Sequence, residues 1–156
     1  INKYKNYFDS VIYINVFEHI EDDSEELAHV FRVLKKNGYV IIFVPALSWL
    51  YSNFDKNIGH FRRYNKKDIQ VLIREAGFQV IQVKYFDFIG IFFWYIVFVL
   101  CKKTLTGNNV FLYDKLIVPC MNKIENIIEP VIGKNLLVIA KKNNYTIASE
   151  CKNKTS

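Results

Sequence analysis

Two short, unbroken apolar runs with a helix-spaced segment between them constrain this chain more than anything else in it. Phe8 to Asn15 reads Phe-Asp-Ser-Val-Ile-Tyr-Ile-Asn, rich in β-branched and aromatic residues, and predicts a buried strand. Asp23 follows as an N-cap with Glu26 three residues on, and Leu27, Val30, Phe31 and Leu34 recur at helical spacing. An amphipathic helix is therefore expected over Ser24 to Lys35. Asn37-Gly38 closes it, and Tyr39 to Val44 is the second apolar run, stopped by Pro45. Strand, helix and strand in this order make a βαβ unit, whose crossover is right-handed in nearly all proteins.

The alternation continues. Ala46 to Asn65, on the order of twenty residues, carries no sustained period, and such segments inside a domain are usually lids or binding loops. Its Trp49, Leu50, Tyr51, Phe54 and Phe61 argue against disorder. Asp68 caps a helix in which Ile69, Leu72, Ile73 and Ala76 share a face, ended by Gly77, and Phe78 to Tyr85 reads as a third strand. The fold class is α/β.

Ile89 to Leu100 is almost wholly apolar and aromatic, yet at about a dozen residues it is too short to span a bilayer as a helix. Ile117, Met121, Ile124 and Ile128 then lie on one face of a second amphipathic helix, ended by Pro130. We expect residues 89–129 to form a helical insertion before a last strand, Leu136 to Ala140. The polar residues 143–156 read as a disordered tail.

A chain of 156 residues, 51% of them hydrophobic, can bury one core, so residues 1–142 are expected to be one domain or most of one. Ile1 stands where an initiator Met would, and the only Met is Met121, so we expect a fragment whose native start lies upstream. Cys101, Cys120 and Cys151 are odd in number and lack any CxxC pair, which suits a reducing, cytoplasmic setting better than a disulfide or zinc framework. The net charge of +6 is partly carried by Lys141, Lys142, Lys152 and Lys154 in or beside the tail, without a basic helix or RNA-binding signature. That argues against nucleic acid as a partner.

In open α/β sheets ligands bind beyond the carboxyl ends of the strands, which nominates two loops. The first holds Asn15, Glu18 and His19. An imidazole beside a carboxylate can move a proton near neutral pH, but both residues can equally serve only to start the next helix. The second carries Gly59-His60-Phe61-Arg62-Arg63-Tyr64. Here two guanidinium groups could clamp an anionic substrate and His60 could act as a base, whereas the plainer alternative is a solvated Arg pair.

These residues form recognisable motifs. Asn15-Val16-Phe17-Glu18-His19-Ile20, Arg32 to Gly38 and Val44-Pro45-Ala46, in that order, resemble the post-cofactor motifs of class I S-adenosylmethionine-dependent methyltransferases. Leu50-Tyr51-Ser52, Asp55, Gly59 to Tyr64 and Glu75 to Phe78 are similar to one bacterial-type subgroup. The resemblance is close from Tyr7 to Tyr85 and looser from Phe86 to Lys142. It implies a Rossmann-like, seven-stranded sheet, of which this chain would hold strands four to seven. It implies S-adenosyl-L-methionine as cofactor, touched by Asn15 and Val16, and a small-molecule or lipid-linked acceptor met by Glu18, Tyr51, Arg62, Arg63 and Tyr64. His60 or His19 would be the base. Glu18 and His19 match positions that in some members meet a metal or the substrate, but Asn15 replaces a further carboxylate there, so no metal is expected. The family's glycine-rich loop and ribose-binding acid have no counterpart here, so the isolated chain is expected to bind the cofactor poorly and to be inactive.

Two alternatives stand beside this one. A methyltransferase-like fold can serve as a non-catalytic binding or regulatory module. The run Ile89 to Leu100 with Lys102-Lys103 can also dock on an anionic membrane, which would place the protein at the inner face, while core or homodimer packing explains the same run.

Overall fold

The structure, a computed structural model, describes residues 4–100 and 130–143. In chain order it contains β1 (Phe8–Ile14), α1 (Asp23–Val33), β2 (Leu34–Pro45), α2 (Asn53–Asn57), α3 (Lys66–Glu75), β3 (Phe78–Phe86), α4 (Phe88–Trp94) and β4 (Asn135–Lys142). Single 3₁₀ turns stand at Phe17–His19 and Ser48–Leu50, and α4 runs on into a π-helical segment, Tyr95–Leu100.

The four strands form one sheet in the order β1-β2-β4-β3. β1 and β2 are parallel, as the βαβ reading requires, whereas β4 inserts antiparallel between β2 and β3. The register aligns every second residue across the sheet. Val11 pairs with Val40 and Val40 with Ala140; Tyr13 pairs with Ile42 and Ile42 with Val138; Val44 pairs with Leu136.

That row is the buried face, closed by Leu27 and Val30 of α1 and Ile69 and Ile73 of α3 in one core. A fully buried aliphatic side chain of this kind contributes about 1.5–3 kcal/mol relative to an exposed one. The opposite face is different: Ile12 and Ile14 are exposed, and Ile41, Phe43, Leu137 and Ile139 are only partly covered. Among the described residues β1 is paired on one side only and is largely exposed, where its composition predicts a buried strand; an apolar run cannot say whether a neighbour covers its second face.

Several boundaries also move. The N-cap of α1 is Asp22, whose carboxylate accepts from the Glu25 amide at 2.8 Å, and that of α3 is Asn65 rather than Asp68. α1 stops at Val33, and β2 begins at once with an irregularity: Phe8 faces Leu34, then Ser10 faces Tyr39. Asn37 takes a positive φ in this bulge. A Cβ on Gly38 would stand 2.9 Å from the Lys35 carbonyl and 3.0 Å from that of Asp9, so only glycine fits. The segment expected to lack structure contains α2, too short at five residues to show a period. The helix face of Ile117, Met121, Ile124 and Ile128, the remainder of the 89–129 insertion beyond Leu100, the three cysteines and the tail from residue 144 lie outside the described residues.

Candidate active site

β1, β2 and β3 run the same way, so their carboxyl ends, at Ile14, Pro45 and Phe86, share one edge with the start of β4 at Asn135. A cleft of about 430 Å³ opens there. It is lined by Asn15, Glu18 and His19 from the first loop, Phe54, Ile58, His60 and Arg63 from the second, and Trp94 and Lys134 from beyond. A larger, more open hollow at the other end of β1 is lined by Asn6, Tyr7, Phe8, Ser10 and the exposed Asp9–Lys35 ion pair, without a histidine, which leaves the carboxyl edge as the candidate site.

The first loop is short and pinned. Asn15 adopts a positive φ at the strand end, and Phe17 is fully buried against the rings of Tyr13 and Tyr64, 5.4 and 5.7 Å away. This anchor draws Glu18 inward to complete burial and leaves Val16 49% exposed on the rim. The second loop is tied to the first by backbone: the Phe61 amide donates to the Glu18 carbonyl at 2.9 Å. Gly59, at φ +84°, turns its carbonyl to accept from His19 Nδ1 at 3.1 Å.

Asp55 organises this second loop. Its Oδ2 accepts from the Ser52 amide and hydroxyl at 2.9 and 3.0 Å. Its Oδ1 accepts from His60 Nδ1 at 3.1 Å and Arg63 Nε at 3.0 Å, with Arg63 Nη2 at 2.9 Å. The carboxylate is fully buried and fully paired. His60 is consequently held with Nδ1 as its proton donor and Nε2 toward Glu18, 3.7 Å from Oε1. Burial pushes the His60 imidazole below its ordinary value, against the opposing pull of Asp55, so its neutral form is favoured. Burial also pushes the Glu18 carboxyl up. Neither of its oxygens has a hydrogen-bond partner among the described residues.

The predicted site residues thus divide. Asn15, Glu18, His19, His60 and Arg63 meet at the cleft, with Val16 exposed beside it. Arg63 is buried, spent on Asp55 and the Ala46 carbonyl, with its guanidinium 4.3 Å over the Trp94 ring. Arg62 turns the other way, to Asp23 and the Glu21 carbonyl. Tyr64 is buried with its hydroxyl on Asp23 at 3.0 Å, and the hydroxyl of Tyr51 donates to the His60 carbonyl at 2.7 Å. These side chains build the loop that carries His60. Sequence reasoning passed over Asp55 as a site residue, although Ser52-x-x-Asp55 is a capping-box spacing and was a usable signal. Trp94 and Lys134 carried none, because they reach the cleft only through the tertiary fold.

Comparison with known proteins gives the family. The family described as "Methyltransferase domain" matches residues 1–83. A search of curated proteins finds no match. Among solved structures the chain is similar to a SAM-dependent methyltransferase from Archaeoglobus fulgidus, with 17% identity, a TM-score of 0.54, and coverage of 89% of this chain and 61% of that one. It is also similar to Haemonchus contortus phosphoethanolamine N-methyltransferase 2 in complex with S-adenosyl-L-methionine, with 21% identity, a TM-score of 0.52, and coverage of 89% and 34%. A third is 1,6-didemethyltoxoflavin-N1-methyltransferase from Burkholderia thailandensis, with 14% identity, a TM-score of 0.50, and coverage of 90% and 46%. The fold is the Rossmann-like α/β fold of these proteins, and the chain spans about three-fifths of the first of them.

Proposed function

The chain belongs to the methyltransferase-domain family, and from that premise we propose that it takes part in S-adenosylmethionine-dependent methyl transfer, with the acceptor in the cleft at the carboxyl edge of the sheet. The observation that carries this reading is His60, aimed into that cleft and oriented by a buried, fully paired Asp55. Asn15 and Val16 fit the edge of a cofactor site, since an amide on the cleft and an uncovered apolar side chain stand side by side at the end of β1. When bound, the cofactor supplies a methyl group on a sulfonium sulfur, which leaves as a neutral thioether.

What the protein adds is placement and proton management. The rings of Phe54 and Trp94, 5.4 Å apart, and Ile58 offer an apolar wall to the body of an acceptor. His60 Nε2, with its lone pair free because Nδ1 donates to Asp55, can accept the proton that an acceptor hydroxyl or amine must shed. His19, exposed on the rim, is the alternative base. Phe88, Phe92, Ile96 and Leu100, each four residues apart, are all exposed, and this stripe supports an acceptor anchored in a membrane surface. No helix among the described residues is long and apolar enough to cross one.

The test is made in the protein that carries this chain. His60→Ala should leave cofactor affinity by calorimetry within about two-fold and slow methyl transfer by about ten-fold or more, as losing a base does. Asn15→Ala should instead weaken cofactor binding. The acceptor panel should contain small amines and alcohols, free and in liposomes. Transfer at the parental rate by folded His60→Ala would make the loop structural, and loss of cofactor binding would assign it to the other ligand.

A further inference from the structure

Two buried carboxylates flank His60, and they are opposites. Asp55 is saturated with donors, whereas Glu18 is fully buried and neither of its oxygens accepts a hydrogen bond among the described residues. The hydrogen bonds of the two histidines sharpen the contrast. His60 Nδ1 donates to Asp55 and His19 Nδ1 to the Gly59 carbonyl, so each ring carries its proton on Nδ1 and keeps a lone pair on Nε2. A donor atom from each of Glu18, His19 and His60 lies within 4.8 Å of the other two. Three potential ligand groups therefore converge on a carboxylate whose oxygens accept no hydrogen bond among the described residues. His60 Nε2 stands 3.7 Å from Glu18 Oε1, too far for a hydrogen bond.

We infer that Glu18, His19 and His60 form a binding site for a divalent transition-metal cation, open toward the cleft. The spacing suits it: ligand atoms around a tetrahedral zinc at ordinary bond lengths sit about 3.3 Å apart, close to the 3.7 Å already found between Glu18 and His60. The surroundings suit it as well. A metal-bound imidazole donates its other N–H to a carboxylate or a backbone carbonyl, and here one ring has each. Two imidazoles and one carboxylate select zinc, iron, manganese or cobalt over magnesium or calcium, and they leave coordination positions free for a ligand. Asn15 stands where a further carboxylate would be, and the third ligand of this site is His60 from the second loop.

The inference deepens the proposed reading, because it gives the acceptor a partner at the same cleft. A hydroxyl bound at an open position of the cation would lose its proton more readily, and His60 would then serve as ligand instead of base. Metal binding is measured without methyl transfer, so the two ideas fail separately.

The full chain, stripped with a chelator, is titrated with Zn²⁺ by calorimetry and with Co²⁺ by visible absorption. One ion per chain should bind at micromolar concentration or tighter. Co²⁺ should give ligand-field bands without a sulfur-to-cobalt charge-transfer band. Glu18→Gln and His19→Ala should each weaken binding by about ten-fold or more, and His29→Ala should not. His19 is exposed, so its variant keeps the fold and decides the question even if Glu18→Gln does not. Absence of binding, binding undiminished in His19→Ala, or a thiolate band would overturn the site. If zinc binds as expected and no acceptor is methylated, the site stands and the catalytic reading falls.

Discussion

Glu18 and Asp55 show how burial alone says little about a carboxylate. Asp55 accepts from Ser52, His60 and Arg63, and removing one partner of a buried, hydrogen-bonded ion pair leaves the other charge stranded. Asp55→Ala should therefore lower the unfolding free energy by about 3 kcal/mol or more, because the Arg63 guanidinium stays buried over Trp94. Glu18→Gln should do the reverse in metal-free protein. It replaces a buried carboxyl, whose ionised form burial disfavours, with an amide of the same shape that cannot ionise, and should raise stability by about 1 kcal/mol. Urea titrations of both variants at neutral pH check the pair. Equal losses would mean that Glu18 has a donor in solution and is not the bare carboxylate described here. Arg62, read from its neighbours as a substrate clamp, shows the converse: its partners are Asp23 and a carbonyl some forty positions away in the chain, and local sequence could not display them.

At the scale of elements, the start of α1 is where the two loops are stapled together. Asp22 caps the helix, while Asp23, the residue the sequence nominated for that task, receives Arg62 and the buried hydroxyl of Tyr64. Both are plausible caps by composition, since adjacent aspartates offer the same chemistry, and only the backbone at Asp22 decides between them. Asp22→Ala should cost about 1 kcal/mol, the ordinary price of a lost N-cap. Asp23→Ala should cost more, because it takes the strong acceptor from a Tyr64 hydroxyl whose remaining contact, the Phe17 carbonyl, lies at 3.5 Å. Thermal melts of the two variants test the ordering, and an Asp22→Ala loss greater than that of Asp23→Ala would contradict the staple.

At the scale of the whole molecule, among the described residues, β2 and β4 are flanked on both sides and β1 is paired on one side only. Amide exchange in the intact chain should therefore be slowest in Val40–Val44 and Leu136–Ala140 and markedly faster at the β1 amides that face away from β2. Uniform protection across β1 would show that another strand covers that edge in solution. The sequence by itself determined the local part of this protein: the strand runs, the helical spacing of α1 and α3, the family motifs and the two loops that meet at the cleft. Those features are written in neighbouring residues, through periodicity and capping chemistry acting over a few positions. The tertiary structure alone decided that β4 enters antiparallel between β2 and β3, and that β1, among the described residues, is paired on one side only. It also decided that Arg62 and Arg63 spend their charge on the protein and that His60 arrives beside Glu18 and His19. Each of these depends on groups tens of residues apart being brought within a few ångströms, and the burial that pairs Asp55 and leaves Glu18 bare exists only once the sheet has closed over them.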